Sequence, residues 1–323
     1  MKRILIPCLG LMMGLAASVV AAETWNMATP YPDATFHTQN IKQFAEDIDK
    51  ATNGGLTITV HSAGSLVKHP QIKRAVQTGQ VQAGEVFISI LGNEDQVFAV
   101  DSIPFLATNY DDAKKLWDAS REYITKRLAD DQLLLLYVAP WPAQGLYTKK
   151  PIESVADLEG LKFRAYNSAT SKLATLTGMV PAQVENPEIP QAFATGIVDA
   201  MITSPTTGVN SRAWDYLTHF NDIQAWIPKN MVIVNQRAFD ALDDATKQAV
   251  LDAAKAAEAR GWATSMAEGE AMKEELAANG IEVQAPSEAF QVELQAIGDT
   301  MIEEWQGETG DAGNAIIEQY RGG

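Results

Sequence analysis

The alternation of strand and helix along this chain runs once, stops at Pro140-Trp141-Pro142, and starts again. In the first run, residues 24–28 read as a strand, Pro30 and Pro32 mark a turn, and Phe36, Ile41, Phe44 and Ile48 recur at helical spacing. A strand at 56–60 follows the turn Asn53-Gly54-Gly55, then come a helix at about 69–78, a strand near 81–88 and the apolar strand 133–138. The second run reads as strand 162–166, helix 168–177, strand 181–184, helix 188–195 and strand 200–203, with 231–235 a strand returning toward the first group. Strands separated by helices make mostly parallel sheets covered on both faces, so two runs predict two α/β lobes. One spans 23–147 with about 231–260 returning to it, the other 148–230 with C-terminal helices over about 261–323. The alanine-rich stretch 237–278 is weakened only at Gly261 and Gly269, which predicts a long helix or a kinked pair spanning both lobes. Residues 287–320 read as two amphipathic helices parted by Gly307 to Gly313.

The first 22 residues form a secretory signal pattern: Lys2 and Arg3, an apolar stretch from Ile4 to Val20, and small residues ending at Ala22. Cleavage near Ala22 is expected, placing the mature protein in the periplasm; Pro7, Gly10 and Gly14 argue against a membrane anchor. The only cysteine, Cys8, goes with the signal, so a mature chain has no disulfide and no thiolate chemistry. Without Lys2 and Arg3 it carries 23 basic and 41 acidic residues, a net charge of −18. Such a surface disfavours nucleic acid and membrane insertion, and an anion must then be held locally by a sheltered cation.

Enzyme motifs are absent. His37, His61, His69 and His219 are scattered, and the sequence has no G-x-S-x-G elbow, H-E-x-x-H, P-loop or G-x-G-x-x-G. The acidic pairs Asp111-Asp112, Asp130-Asp131 and Asp243-Asp244 fall where helices start or turn, as capping requires. Nothing calls for a cofactor or a metal, and the expectation is a protein that is not an enzyme.

The informative stretch is 157–205. Asp157-Leu158-Glu159-Gly160-Leu161-Lys162-x-Arg164, then Gly178-x-x-Pro181, then Glu188-x-x-x-Ala192-Phe193-x-x-Gly196-x-Val198-Asp199 resembles the solute-binding proteins of tripartite ATP-independent periplasmic (TRAP) transporters. Gly64-x-Leu66 and Pro104-Phe105-Leu106 agree with that pattern, and the resemblance covers essentially the whole mature chain. It implies the type II-like two-lobed periplasmic-binding-protein fold with a long hinge-spanning helix. It also implies a small organic acid as ligand, and the small and large membrane subunits of a TRAP transporter as partners.

In that family the arginine at the position of Arg164 pairs with the ligand carboxylate. The residue's own placement agrees, because it stands at the end of an expected strand, where α/β sheets bind ligands, and a guanidinium matches a carboxylate with two parallel donors. The competing reading is an ordinary surface ion pair. Two departures from the family's pattern bear on ligand choice. The asparagine expected after the Val-Asp strand is replaced by hydroxyls, making Thr203 or Ser204 the candidate second polar contact; the alternative is a serine–threonine turn before a helix at 209–219. Where sialic-acid-type members show a second arginine, counting back from Arg164 without a gap gives Gln144. One strong cation favours a monocarboxylate, although Lys149 and Lys150 keep a dicarboxylate open.

Phe36, Phe87, Trp141 and Tyr166 fall near these positions, either as core or as apolar walls that exclude water from the arginine contact. Glu85 is placed to accept a hydrogen bond from a ligand or to make a structural contact within its lobe. The reading is a transport receptor for a keto or hydroxy acid, a pyroglutamate-like acid or an aromatic acid. The alternatives are a ligand-sensing subunit of a chemoreceptor or sensor kinase, and an exported lyase or hydrolase.

Overall fold

In the computed structural model, which describes residues 23–322, two sheets lie side by side; the signal pattern and Cys8 fall outside the described residues. The first sheet has the order β2-β1-β3-β10-β4 and the second β11-β9-β5-β8-β6-β7. The first run supplies β1 (Glu23–Ala28), α1 (Phe36–Ala51), β2 (Leu56–His61), α2 (Ile72–Gln77), β3 (Ala83–Phe87), α3 (Tyr110–Asp130) and β4 (Leu133–Pro140). The second supplies β5 (Gly145–Thr148), β6 (Lys162–Ala165), α4 (Ser168–Leu176), β7 (Val180–Gln183), α5 (Ile189–Ala194), β8 (Ala200–Thr203), α6 (Pro205–Asn210) and β9 (His219–Asn221). β10 (Lys229–Asn235) then returns antiparallel between β3 and β4. α7 (Gln236–Asp240), α8 (Asp244–Ala278), β11 (Glu282–Gln284), α9 (Glu288–Thr309) and α10 (Asp311–Gly322) complete the chain.

The helix expected at 209–219 is not formed. Ser204 caps α6 instead, accepting a hydrogen bond from the Thr207 amide at 3.1 Å, and Pro205 occupies the first turn, so the helix starts early and ends at Asn210. The long C-terminal segment likewise starts later than its alanine content suggests. Asp243 accepts from the Thr246 amide at 2.9 Å and caps α8, leaving 236–240 as a separate short helix. From there α8 runs 35 residues without a break at Gly261 or Gly269, about 52 Å at the rise of an α-helix. Its N-terminal half packs Val250 and Ala254 with Trp25, Phe44 and Tyr137 of the first lobe, and Leu276 near its end joins Tyr147, Phe193 and Phe220 of the second.

The two sheets are joined by a short ribbon. Residues 141–144 and 225–228 pass between them and bond to each other: the Trp141 amide donates to Pro228 O at 2.8 Å, the Gln144 amide to Trp226 O at 3.0 Å, and the Ala225 amide to Gln144 O at 2.9 Å. Among the described residues no helix is long and apolar enough to cross a membrane.

Candidate ligand site

The crevice between the sheets narrows to a cavity whose empty space, open mouth included, is about 420 Å³. Residues of the first lobe, the ribbon and the second lobe meet there. β6 is short and exposed only at Lys162; Phe163 and Ala165 turn into the core, and Arg164 faces the crevice with 4 % of its surface exposed. Its Nε donates to Val184 O at 3.0 Å, the carbonyl at the end of the neighbouring β7. Among the described residues no carboxylate oxygen comes within 4.0 Å of the guanidinium. Burial lowers its pKa, opposed by the field of Tyr166, Glu185 and Tyr31. The Tyr166 ring lies under it at 5.0 Å, a cation–π contact that partly replaces lost water.

A sheltered cation with free donors takes an anion, since an unmatched buried charge is costly. Lys149 and Lys162 do not share this place. Lys149 pairs with Asp199 at 2.8 Å, and Lys162 donates to Gly196 O at 2.9 Å on the exposed side of β6.

The walls are aromatic. Phe87 and Tyr166 meet edge to face at 5.5 Å from opposite lobes, and Trp141 from the ribbon packs against Tyr31 at 5.0 Å. Phe36 is not among the residues lining the cavity; it backs the wall, 5.8 Å from the Trp141 ring. Glu85 is also set back from the cavity. Its carboxylate accepts from Thr29 Oγ1 and from Asn230 Nδ2, the latter at 2.6 Å. That fixes the Asn230 amide so that its Oδ1 accepts from Trp141 Nε1 at 3.0 Å and Tyr31 OH at 3.2 Å. Glu85 therefore holds the wall residues and does not face the cavity. Burial pushes its pKa up to about 7, against the hydrogen bonds from Thr29 and Asn230.

Gln144 lines the cavity, its Nε2 donating to Pro142 O at 2.8 Å, with the Tyr166 hydroxyl 3.4 Å from its Oε1. Thr203 and Ser204 line it as well, the Ser204 hydroxyl being committed to the α6 cap.

Tyr31, His69, Ile90, Glu185, Asn186 and Thr207 also line the cavity, and sequence reasoning did not single them out for it. Glu185-Asn186-Pro187 follows β7 after the single residue Val184, just past the end of a parallel strand where α/β sheets bind ligands, and that position was the available signal. His69 lies in a 3₁₀ turn of the first lobe and reaches Glu185 across the crevice, Nδ1 to Oε2 at 3.5 Å. Its Nε2 accepts from the Phe87 amide at 3.2 Å, which leaves the ring proton on Nδ1, facing the carboxylate. Among the described residues no cluster of three or more His, Cys, Asp or Glu is arranged to hold a metal.

Comparison with known proteins fits this geometry. The chain is similar to the structure of DctP7, a Bordetella pertussis extracytoplasmic solute receptor binding pyroglutamic acid, with 48 % identity, a TM-score of 0.92, and coverage of 93 % of this chain and all of that one. It is similar also to a marine metagenome TRAP solute-binding protein specific for pyroglutamate, at 41 % identity and a TM-score of 0.91, covering 94 % and 99 %. A solute-binding protein of Chromohalobacter salexigens is 23 % identical over 303 residues, 92 % of this chain and 90 % of that protein. The model of bacterial extracellular solute-binding protein family 7 matches residues 27–308, from the first strand into the penultimate helix. The chain therefore belongs to that family, the solute receptors of TRAP transporters.

Proposed function

We propose that the chain captures a compact monocarboxylate in the periplasm, L-pyroglutamate foremost, and delivers it to the small and large membrane subunits of a TRAP transporter without chemical change. Signal cleavage near Ala22 precedes this, and the lobes divide at the ribbon, within 141–144 on the way out and 225–228 on the way back, a few residues before the 147 and 230 expected from the sequence. The observation that carries the reading is Arg164, a buried guanidinium with no carboxylate partner among the described residues, above an aromatic ring and beside the neutral Gln144. One cation calls for one carboxylate. Three similar receptors, at 48, 42 and 41 % identity, are described as binding pyroglutamate or pyroglutamic acid, and a lactam acid of that size suits walls made of Tyr31, Phe87, Trp141 and Tyr166.

Calorimetry with L-pyroglutamate tests it. Arg164→Ala is expected to keep the fold and to weaken binding by about 2–5 kcal/mol, because the ligand carboxylate is then stranded in a dry site. Arg164→Lys is expected to be impaired too, having lost the two-pronged geometry. Binding by Arg164→Ala within a factor of about three of wild type would mean that the anchor lies elsewhere.

A further inference from the structure

The cavity contains a second fixed charge that anion capture does not explain. Glu185 lines the same space as Arg164, and the two are neighbours through Val184, whose carbonyl accepts the Arg164 Nε–H. Yet they do not pair, since no carboxylate oxygen lies within 4.0 Å of that guanidinium among the described residues. Glu185 is held from the other lobe instead, by His69 Nδ1. Burial alone would favour its neutral form, but the hydrogen bond from His69 and the charge of Arg164 hold its pKa below the ordinary glutamate value. The site thus presents one cation and one anion side by side, each free to face a ligand.

From this arrangement we infer that Glu185 is the specificity-determining residue that excludes dicarboxylates, an inference that rests on the monocarboxylate reading above. An acid anchored at Arg164 extends its remaining atoms into a cavity whose other fixed charge is negative. A ring N–H or a hydroxyl there gains an ionised acceptor, whereas a second carboxylate meets like charge with no second cation to neutralise it. Lys149 and Lys162 are tied up outside the cavity, and the position facing Tyr166 is the uncharged Gln144. Selectivity of this kind comes from repelling the wrong ligand as much as from holding the right one. The lobes meet around Glu185, so the filter acts in the closed form, where the charges are desolvated and count most.

The test is the ratio of two dissociation constants measured by calorimetry, for glutarate and for L-pyroglutamate. Wild type is compared with Glu185→Gln, which keeps the shape and an acceptor oxygen and removes only the charge, and with His69→Gln, which removes the cross-lobe hold and leaves the charge. Melting curves without ligand confirm that each variant is folded. The expected result is a ratio that falls at least tenfold in Glu185→Gln and stays within about threefold of wild type in His69→Gln. An unchanged ratio in Glu185→Gln, both acids weakening alike, would reduce Glu185 to a latch and overturn the inference while leaving the monocarboxylate reading intact. An equal fall in His69→Gln would do the same. Wild type that binds glutarate as tightly as L-pyroglutamate would overturn both.

Discussion

Glu85 shows how a carboxylate can serve a binding site without touching the ligand. Its two oxygens hold Thr29 and Asn230, and Asn230 in turn holds Tyr31 and Trp141. The arrangement carries a pH signature. An unfolded glutamate loses its proton near its ordinary value of 4.5, whereas burial delays that to about 7 in the fold. Between those values the folded chain keeps a proton that the unfolded chain has released, so rising pH favours unfolding through this group. His37, buried against Ala139 O and lowered mainly by desolvation to about 3, works in the opposite direction: rising pH strengthens the fold up to its ordinary value of 6.5. The two slopes oppose each other in wild type, and substitution separates them. The stability of Glu85→Gln relative to wild type is expected to improve by on the order of 3 kcal/mol between pH 4 and pH 8; a pH-independent difference in urea midpoints would show that Glu85 is ionised in the fold. At this scale legibility was uneven. Arg164 stood out because a motif and a strand end coincide there, while His69, Glu185, Tyr31 and Asn230 come from separate loops and strands that only the tertiary fold brings together. The aromatic residues were legible as a group, but nothing in a one-dimensional pattern separates Trp141, which lines the cavity, from Phe36, which stands behind it.

Among the elements, α8 was the easiest to read and gives the cleanest test. Its two glycines look alike in the sequence, each costing about 1 kcal/mol of helix propensity relative to alanine. They differ in what surrounds them. A Cβ on Gly261 would stand 2.7 Å from Ala139 Cβ and 3.1 Å from Asn40 Nδ2, and Ala139 is fixed on β4 and cannot swing away. A Cβ on Gly269 would meet nothing nearer than Pro142 Cβ at 3.8 Å. Gly269→Ala is therefore expected to stabilise by about 0.5–1 kcal/mol, and Gly261→Ala to destabilise by a net of about 1–2 kcal/mol, since overpacking outweighs the propensity gain. Urea melts of the two variants decide it, and a shift of the same sign in both would refute this packing of α8 on β4. The main strands and helices were legible because they are long enough for a period to show. β9 and β11 have only three residues, too few for alternation to register, and β5, as short as β6, β7 and β8, lacks the following helix that marks those in the sequence; all three owe their place to the neighbours they pair with. The start of α6 was lost for a related reason: a Ser-Pro step reads equally well as a turn and as a capped first turn of helix.

The whole molecule is two packed bodies joined by the ribbon, by α8 and by α9, whose Glu293 accepts from the Val155 amide of the second lobe at 2.7 Å and whose Trp305 donates to Gln96 O of the first at 2.7 Å, and motion of the bodies about these connections is the coordinate a ligand biases. This structure has the lobes in contact across the crevice. Asn167 Nδ2 at the start of α4 donates to Ser89 Oγ of the first lobe at 2.7 Å, Phe87 meets Tyr166, and His69 meets Glu185. Of these, only the Asn167–Ser89 bond involves no residue lining the cavity, so it reports on closure separately from ligand contact. A ligand that touches both lobes favours the closed form by its differential affinity, and the apparent affinity falls with the closed fraction in its absence. Ser89→Ala removes one hydrogen bond that exists only in the closed form, worth about 1 kcal/mol. The expected result is a roughly fivefold weaker apparent affinity for every acid the receptor binds, with selectivity between acids unchanged. Small-angle scattering supplies the matching observable. The radius of gyration of the ligand-free wild type should exceed that of the protein saturated with L-pyroglutamate, and Ser89→Ala should need proportionally more ligand to reach the compact value. An identical profile with and without ligand would sink the clamshell, because a receptor that is closed in both states leaves Ser89 nothing to tune.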